Sequence, residues 1–195
     1  MLVLASASPR RAETLRTLGL AFTQRPVDLV EAIPPGGSPA DGALRLARSK
    51  AEAAAAEVAE GWVLGCDTVV WHDGHELPKP ATAKEAFATL QELNGARHEV
   101  YTGLCVVRQP GAAAFTHVER SEVQFARVPE AVLEAYVATG EPLGKAGAYA
   151  VQGAGAAFIE QVRGRVDNVI GLPVRPLVLL LAKAGYPLPP HLRTA

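Results

Sequence analysis

Hydrophobic residues recur along this chain with two different periods, one typical of buried strands and one typical of amphipathic helices. The apolar run at residues 2–5 predicts a buried strand. Ser8 followed by Pro9 predicts the start of a helix, and Gly19 predicts its end. The loop between this strand and this helix leaves backbone N–H groups available to an anion. The chain is therefore predicted to begin with a β–α unit whose connecting loop suits an anionic ligand.

The rest of the chain divides into further strands and helices by the same two periods. The predicted strands lie at residues 22–30, 62–71, 98–108, 116–126 and 156–162. The predicted helices lie at residues 38–59, 82–94, 129–139 and 173–184. Glycine-containing turns are predicted at residues 72–75 and 109–111. Because β–α units come early, a hairpin lies in the middle and strands return late, we predict an α/β fold.

The composition is that of an ordinary globular protein, with 49% hydrophobic and 20% charged residues in a chain of 195. The net charge of -1 excludes a broad electrostatic attraction to nucleic acid, which normally requires a basic excess. Two cysteines, Cys66 and Cys105, favour a reducing compartment over a disulfide scaffold. The first residues are too few and too uncharged for a signal peptide, and charge and proline interrupt the apolar stretch 174–184. We therefore expect a cytoplasmic protein that spans no membrane.

The first loop concentrates hydroxyl and guanidinium groups, with Ser6, Ser8, Arg10 and Arg11 within six residues. Arginine near a helix N-terminus opposes the helix dipole, and an anionic ligand would offset that cost. Guanidinium groups also bind phosphate oxygens in a bidentate manner. A capped helix with solvated arginines explains the segment equally well, so both interpretations stay open at this point.

Lys50 interrupts the apolar stripe of the helix predicted at residues 38–59. A lysine in such a place usually extends its ammonium group to solvent along an apolar surface. The other interpretation is an ammonium group that binds phosphate in a cleft.

Asp67 interrupts the apolar run at residues 62–71, where the strand is predicted to be buried. A buried carboxylate is costly unless it is paired or binds a metal. Carboxylate oxygens suit Mg²⁺, and an aspartate can accept a proton from water. Asp67 is therefore the strongest catalytic candidate, although an aspartate that caps a turn is the simpler alternative.

Two more charged residues stand in restricted surroundings. Lys79 lies between two prolines, in a stiff segment that suits a fixed cationic contact or an ordinary exit from an edge strand. Glu31 follows the end of an apolar segment and by itself carries little information. His72 and His75 have no partner at the spacing of a zinc site, and the chain contains no Walker motif.

Taken together, these segments resemble the Maf family of nucleotide pyrophosphatases over nearly the whole chain. Each motif is weak alone, but eight of them occur in the order and at the spacing of the family. They are residues 4–11, 47–51, 65–68, 79–80, 93–95, 145–149, 151–153 and 170–173.

The resemblance implies an elongated, twisted mixed sheet flanked by helices, in a single domain of two lobes with a nucleotide cleft between them. It implies cleavage between the α- and β-phosphates of a nucleoside triphosphate, which yields a monophosphate and pyrophosphate, with Mg²⁺ or Mn²⁺ as cofactor. Asp67 would be the general base and would bind the metal together with Glu31. The residues implied in phosphate binding are Ser6, Arg11, Lys50 and Lys79. The family also suggests a homodimer.

Three positions indicate a subfamily within this resemblance. Arg10, Thr68 and Gln152 are similar to the set found in enzymes that act on dTTP and UTP rather than on 7-methyl-GTP. A glutamine amide offers both a donor and an acceptor to a pyrimidine edge, which makes this choice physically reasonable. The segment Asp167-Asn168-Val169 departs from many relatives, which carry Tyr or Ser there, and Asn168 is therefore expected to alter contacts near the base or sugar.

Two other functions are compatible with the sequence. One is hydrolysis of inosine or xanthosine triphosphate on a related fold. The other is a non-enzymatic regulator of septum formation that binds nucleotide or nucleic acid. The retained acidic and basic residues disfavour the second alternative, because a pure binding protein has no need of Asp67.

Overall fold

The computed structural model describes residues 1–27, 29 and 37–193. Within these residues seven strands form one sheet, in the order β2–β1–β3–β5–β6–β7, and β4 pairs with β3. The strands are β1 (Leu2–Leu4), β2 (Phe22–Gln24), β3 (Gly61–His72), β4 (His75–Glu76), β5 (Arg97–Gln109), β6 (Ala113–Phe125) and β7 (Ile159–Arg163). The helices are α1 (Pro9–Thr17), α2 (Pro39–Ala55), α3 (Ala83–Leu93), α4 (Glu130–Ala138), α5 (Val166–Ile170) and α6 (Val174–Lys183). The predicted α/β fold is confirmed.

The first β–α unit forms as the sequence predicts. Strand β1 runs parallel to both β2 and β3, so the chain must cross over through a helix between neighbouring strands. Ser8 caps α1 by accepting a hydrogen bond from the backbone N–H of Arg11, and Pro9 occupies the first turn. Gly19 adopts a φ of +68°, which a residue with a side chain rarely takes, and the chain turns there toward β2.

The chain separates into two compact units, each with its own core. Unit 1 comprises Met1–Asp67, Thr102–Glu119 and Gly171–Ala195, and unit 2 comprises Thr68–Tyr101 and Arg120–Ile170. The predicted single-domain organisation and the cleft stay predictions.

In unit 1, strand β1 and the first part of β3 are buried on both faces. Leu2 and Leu4 belong to a cluster that includes residues of α1 and α6, whereas Val3 belongs to a second cluster with the alanines of α2. Side chains alternate between the two faces of a strand, so a strand covered on both sides is apolar at every position. This double burial explains the unbroken apolar runs at the starts of β1 and β3.

Helix α2 lies against the sheet through its smallest side chains. Ala47 and Ala51 are fully buried. A Cβ atom built on Gly65 of β3 would overlap the carbonyl oxygen of Ala47 and would lie 2.7 Å from the backbone nitrogen of Ala51. A Cβ atom on Gly103 of β5 would likewise lie 2.8 Å from the backbone nitrogen of Leu44. The helix backbone therefore packs directly on two strands, and larger residues at either surface would separate them.

Unit 2 contains α3, α4, α5 and β7. Thr82 and Glu85 form the predicted capping box at the start of α3. An aromatic cluster fills the core of this unit, in which Phe125 makes edge-to-face contact with His98 and Tyr149. Strand β7 pairs antiparallel with β6.

Several predicted boundaries were wrong. Among the described residues of the segment predicted to be extended at residues 22–30, which are 22–27 and 29, only Phe22–Gln24 is a strand. The helix predicted to reach residue 59 ends at Ala55. The strand predicted to start at residue 156 begins at Ile159, because Ala154–Phe158 forms a 3-10 turn. Helix α5 was not predicted, since five residues are too few to display a helical period. In the part of the chain that the structure describes, no helix has the length and apolar character needed to cross a membrane.

Candidate active site

The loop between β1 and α1 is held by hydrogen bonds among its own polar groups. The backbone N–H of Ser8 donates to Ser6 Oγ at 3.2 Å, and the backbone N–H of Arg11 donates to Ser8 Oγ at 3.5 Å. Gln24 of β2 donates from Nε2 to the carbonyl oxygen of Ser6 at 3.2 Å. Ser6 is 7% exposed. The loop is thus an ordered structure with a buried hydroxyl group at the N-terminus of α1.

Arg11 connects this loop to two other segments of unit 1. Its Nη1 donates to Ser6 Oγ at 3.1 Å and to the carbonyl oxygen of Cys66 at 2.9 Å. Its Nε donates to the carbonyl oxygen of Gly171 at 2.9 Å. Because Cys66 immediately precedes Asp67, the guanidinium group fixes the backbone next to the predicted catalytic residue. Arg11, predicted to bind phosphate, therefore has a role within the protein as well.

Arg10, its neighbour on α1, is half-buried, and its carbonyl oxygen accepts a hydrogen bond from Thr14 Oγ1 at 3.0 Å.

Asp67 and Lys50 form a buried ion pair. Lys50 Nζ donates to Asp67 Oδ1 at 2.8 Å, and the two residues are 6% and 3% exposed. Either charge alone would be strongly destabilising when buried to this extent, and the ion pair offsets the desolvation of both. The lysine therefore does not extend to solvent, and the carboxylate does not cap a turn. The sequence singled out both residues, but it did not predict that they contact each other.

The close packing of α2 on β3 makes this pair possible. Lys50 lies on the face of α2 that also carries the buried Ala43, Ala47 and Ala54. Gly65, two residues before Asp67, lets the helix backbone approach the strand. A lysine side chain can then reach a carboxylate that projects from the strand beneath it.

Three further predicted site residues, Thr68, Lys79 and Gln152, belong to unit 2. Thr68 directly follows Asp67 in β3 and is half-buried. Lys79 is exposed, and its segment is held on both sides by backbone hydrogen bonds. Gly147 N–H donates to the carbonyl oxygen of Leu77 at 3.2 Å, and Gly144 N–H donates to that of Pro80 at 2.9 Å.

Gln152 is exposed and lies between the two 3-10 turns Ala146–Ala148 and Ala154–Phe158.

Glu31, the second predicted metal ligand, lies outside the described residues. Among the residues that are described, no three His, Cys, Asp or Glu side chains form a group that could hold a metal ion. Among the described residues that the sequence predicted for the site, Asp67 is the one that carries a carboxylate. This donor set fits the way proteins bind Mg²⁺, through one or two carboxylates with water and substrate phosphates completing the shell.

The two cysteines are not nucleophiles. Both are buried, and burial raises the pKa of Cys66 to about 11 and that of Cys105 to about 12. A thiolate is the reactive form, so neither side chain reacts readily at neutral pH.

Asn168 has a structural role that the sequence did not reveal. It is fully buried, and its Nδ2 donates to the carbonyl oxygen of Val100 at 3.0 Å and to Ser121 Oγ at 2.9 Å. These bonds attach α5 to β5 and β6. Asn168 therefore has a packing role within unit 2, and its predicted effect on contacts near the base or sugar stays a prediction.

Comparison with known proteins gives a consistent result. The family model described as Maf-like protein matches residues 1–184. The chain belongs to the Maf family. It is 51% identical over 190 residues to a dTTP/UTP pyrophosphatase of Anaeromyxobacter dehalogenans (strain 2CP-C), covering 96% of each chain. It is 44% identical over 185 residues to a dTTP/UTP pyrophosphatase of Pelotomaculum thermopropionicum, covering 95% of this chain and 97% of the relative.

A third Maf relative, the dTTP/UTP pyrophosphatase of Moorella thermoacetica, is 46% identical over 185 residues, with 94% of this chain and 95% of the relative covered. The family resemblance inferred from the eight motifs is confirmed. The structure adds two residues to those that the sequence predicted. Gly65 lets α2 approach β3, and Glu141, in the loop after α4, accepts hydrogen bonds from the backbone N–H groups of Ala154 and Gly155. Gly65 stands inside a motif, so its position offered a signal, whereas nothing in the sequence distinguished Glu141 from a surface glutamate.

Proposed function

We propose that this chain is a nucleoside triphosphate pyrophosphatase that hydrolyses dTTP and UTP to the monophosphate and pyrophosphate. Relatives that share 42 to 51% of its residues over nearly its whole length carry the name dTTP/UTP pyrophosphatase. The observation that carries the proposal is the buried pair of Asp67 and Lys50, at a strand position that a purely structural protein would fill with an apolar residue.

The proposed chemistry at Asp67 is general base catalysis. A water molecule attacks the triphosphate, the bond between the α- and β-phosphates breaks, and pyrophosphate leaves with the bridging oxygen. The attacking water gives its proton to the carboxylate of Asp67. Lys50, 2.8 Å from Asp67 Oδ1, holds this carboxylate in one orientation. Such positioning is a large part of what an enzyme can contribute to phosphoryl transfer.

The phosphates are proposed to contact the β1–α1 loop and Lys79. The N-terminus of α1 favours negative charge, and the ordered hydroxyl of Ser6 and the guanidinium of Arg11 lie there. Lys79 stands in a segment whose backbone is fixed on both sides, so little entropy is lost when its ammonium binds an anion. Lys50 contributes positive charge close to Asp67 in the same unit.

A divalent cation, Mg²⁺ or Mn²⁺, is proposed as the cofactor, with Asp67 and Glu31 as its protein ligands. When bound, the cation neutralises charge on the phosphates and polarises the bond that breaks. Arg10, Thr68 and Gln152 are proposed to select the pyrimidine base, which rests on their likeness to the dTTP/UTP set of the family.

The test compares Asp67→Asn with Asp73→Asn, the same substitution at an exposed position in the β3–β4 turn. Loss of a general base should lower the rate of pyrophosphate release by about 100-fold or more. Nucleotide binding, measured by calorimetry, should change far less. Asp73→Asn should keep full activity, since asparagine tolerates the left-handed backbone that Asp73 adopts.

Full turnover by Asp67→Asn would remove Asp67 from the role of base. A panel of nucleotides with and without Mg²⁺ or Mn²⁺ decides among the functions. Faster hydrolysis of inosine or xanthosine triphosphate than of dTTP and UTP would favour the related purine hydrolases. No hydrolysis of any nucleotide would favour the non-enzymatic regulator. Hydrolysis that does not depend on Mg²⁺ or Mn²⁺ would contradict the proposal of a divalent cation as cofactor.

We also propose a homodimer in the cytoplasm. The family resemblance supports the dimer, and two buried cysteines without a disulfide agree with a reducing compartment. Light scattering on the purified chain tests the homodimer, which should have twice the monomer mass of 20.5 kDa.

A further inference from the structure

The carboxylate of Glu141, in the loop after α4, accepts two backbone N–H groups from the segment that follows Gln152. The N–H of Ala154 donates to Oε2 at 3.0 Å, and the N–H of Gly155 donates to Oε1 at 3.1 Å. Hydrogen bonds to a charged acceptor are about twice as strong as those between neutral groups. Glu141 therefore fixes the first turn of Ala154–Phe158 in the absence of any helix cap within that segment.

Glu141 is itself held in place by its neighbours. Tyr136 on α4 donates from its hydroxyl to Glu141 Oε1 at 2.8 Å. Lys145 Nζ donates to the carbonyl oxygen of Glu141. Burial acts to raise the pKa of Glu141, but the hydrogen bonds from Gly155, Tyr136 and Ala154 outweigh it, and the pKa is lowered. The side chain is thus a fixed anion at neutral pH.

Gly153 leaves room for this carboxylate. A Cβ atom built on Gly153 would overlap both oxygens of the Glu141 side chain. The backbone of Gly153 has a φ of -126°, which any residue can adopt, so the glycine is required by space and not by conformation. The Gln152–Gly153 segment and the Glu141 carboxylate are therefore fitted to each other.

The same loop also holds the segment of Lys79. Gly144 and Gly147, three and six residues after Glu141, donate their backbone N–H groups to Pro80 and Leu77. One short stretch of unit 2 thus supports the backbone on either side of Lys79 and, through Glu141, the backbone after Gln152.

We propose that Glu141 is a positioning residue for nucleotide selectivity, which holds the backbone next to Gln152 in the conformation that recognises the base. This inference rests on the proposed function, since Gln152 is assigned to the base there. Glu141 need not touch the nucleotide. It acts by fixing two backbone amide groups, and these in turn fix the direction in which the Gln152 side chain projects from the backbone.

The test is Glu141→Gln, with Glu134→Gln as the matched control at an exposed glutamate of α4. The carboxamide has one acceptor oxygen in place of two and presents an N–H₂ group to a backbone N–H. We expect the KM for dTTP to rise about tenfold, as for loss of one hydrogen bond to a charged group, with kcat changed less than about threefold. The preference for dTTP over GTP should fall by a similar factor. Glu134→Gln should match the parent enzyme.

Gly153→Ala perturbs the same contact from the other side and should reproduce the rise in KM. In the double variant Glu141→Ala/Gly153→Ala the added methyl group meets no carboxylate, so the two effects should be far from additive. Hydrogen exchange at the amides of Ala154 and Gly155, measured without nucleotide, should accelerate in Glu141→Gln and stay unchanged in Glu134→Gln.

Unchanged hydrogen exchange in Glu141→Gln, or additive effects of the two alanine substitutions, would overturn the positioning role. A fall in kcat with an unchanged KM and unchanged selectivity would also overturn it. Exchange does not depend on hydrolysis. Faster exchange together with an inactive parent enzyme would therefore contradict the proposed function and the selectivity role while leaving the structural contact intact.

Discussion

At the scale of single residues, the buried pair of Lys50 and Asp67 joins stability to the proposed chemistry. Lys50→Met removes the partner of a carboxylate that is 3% exposed. An unpaired buried charge should lower the free energy of unfolding by about 3 kcal/mol. Asp67→Asn in the same chain should recover much of that loss, because a neutral amide is far less costly to bury than a carboxylate.

Urea unfolding of the two single variants and the double variant measures the coupling between these residues. Lys183→Met, at an exposed lysine at the end of α6, is the control for loss of a lysine. Its free energy of unfolding should stay within about 0.5 kcal/mol of the parent. Additive losses in Lys50→Met and Asp67→Asn would mean that the 2.8 Å contact contributes nothing to stability.

His98 predicts a dependence of stability on pH. Burial lowers its pKa to about 3, with a smaller contribution from His72, and its Nε2 lies 2.8 Å from the hydroxyl of Tyr149. In the unfolded chain the pKa returns to its ordinary value near 6.5. Between these two values the unfolded state binds a proton that the folded state does not. The contribution of His98 to the free energy of unfolding is therefore complete above pH 6.5, and it declines as the pH falls toward 3.

This linkage should lower the free energy of unfolding by about 2 kcal/mol between pH 7 and pH 5. His98→Gln should lose that part of the pH dependence, and His191→Gln, at an exposed histidine, should retain it. Chemical unfolding at a series of pH values gives the comparison. Identical slopes in His98→Gln and the parent would show that the histidine is not the group that titrates.

At the scale of elements, the contact between α2 and β3 is the feature on which the candidate site most depends. Gly65→Ala would place a methyl group on the carbonyl of Ala47, and backbone cannot move aside as a side chain can. We expect a loss of about 3 kcal/mol in stability, typical of a severe overpacking substitution. Activity should fall with it, because Lys50 and Asp67 lie on the two segments that are forced apart.

Gly74→Asn is the control for this substitution. Gly74 lies in the β3–β4 turn with a φ of +83°, has nothing within 4 Å of an added Cβ atom, and can be replaced by a residue that tolerates a left-handed backbone. Thermal unfolding and pyrophosphate release should both remain near the parent values. If Gly65→Ala behaved like Gly74→Asn, the helix would not be in the direct contact described above.

The elements that the sequence predicted best are those with a local signal. Ser8 and Thr82 cap their helices as predicted, since a cap needs only residues three positions apart. Residues 156–158 were predicted as part of a strand but belong to the 3-10 turn Ala154–Phe158. The first residue of that turn is bound by Glu141, thirteen residues away, and no local period records such a contact. Site residues follow the same rule. Asp67 was conspicuous as a charge in an apolar run, but its bond to Lys50 arises from packing between α2 and β3.

At the scale of the whole molecule, the order of strands could not be read from the sequence. The hydrophobic period gives strands and their faces, but β3 lies between β1 and β5 only because long-range pairings are formed on folding. The expectation of a twisted mixed sheet came instead from the family resemblance, because eight motifs in family order along the chain indicate one particular fold. The two compact units divide the predicted site residues, with Ser6, Arg10, Arg11, Lys50 and Asp67 in unit 1 and Thr68, Lys79 and Gln152 in unit 2.

The stability of the folded chain provides a measure of nucleotide binding. A ligand that binds only the folded state at 100 times its Kd stabilises it by about 2.7 kcal/mol. For a chain of this length that corresponds to a rise in Tm of about 5 to 10 °C. Asp67→Asn should bind nucleotide without hydrolysing it. The rise in Tm of this variant can therefore be compared for dTTP, UTP and GTP in the presence of Mg²⁺.

If Lys79 contacts a phosphate and Gln152 contacts the base, two further substitutions in the Asp67→Asn chain should separate these two kinds of contact. Lys79→Ala should reduce the shift for every triphosphate, because a charge contact does not distinguish bases. Gln152→Ala should reduce the shift for dTTP and UTP and leave the shift for GTP unchanged. Equal losses for all nucleotides in Gln152→Ala would remove this residue from base recognition, and the selectivity role of Glu141 would be lost with it.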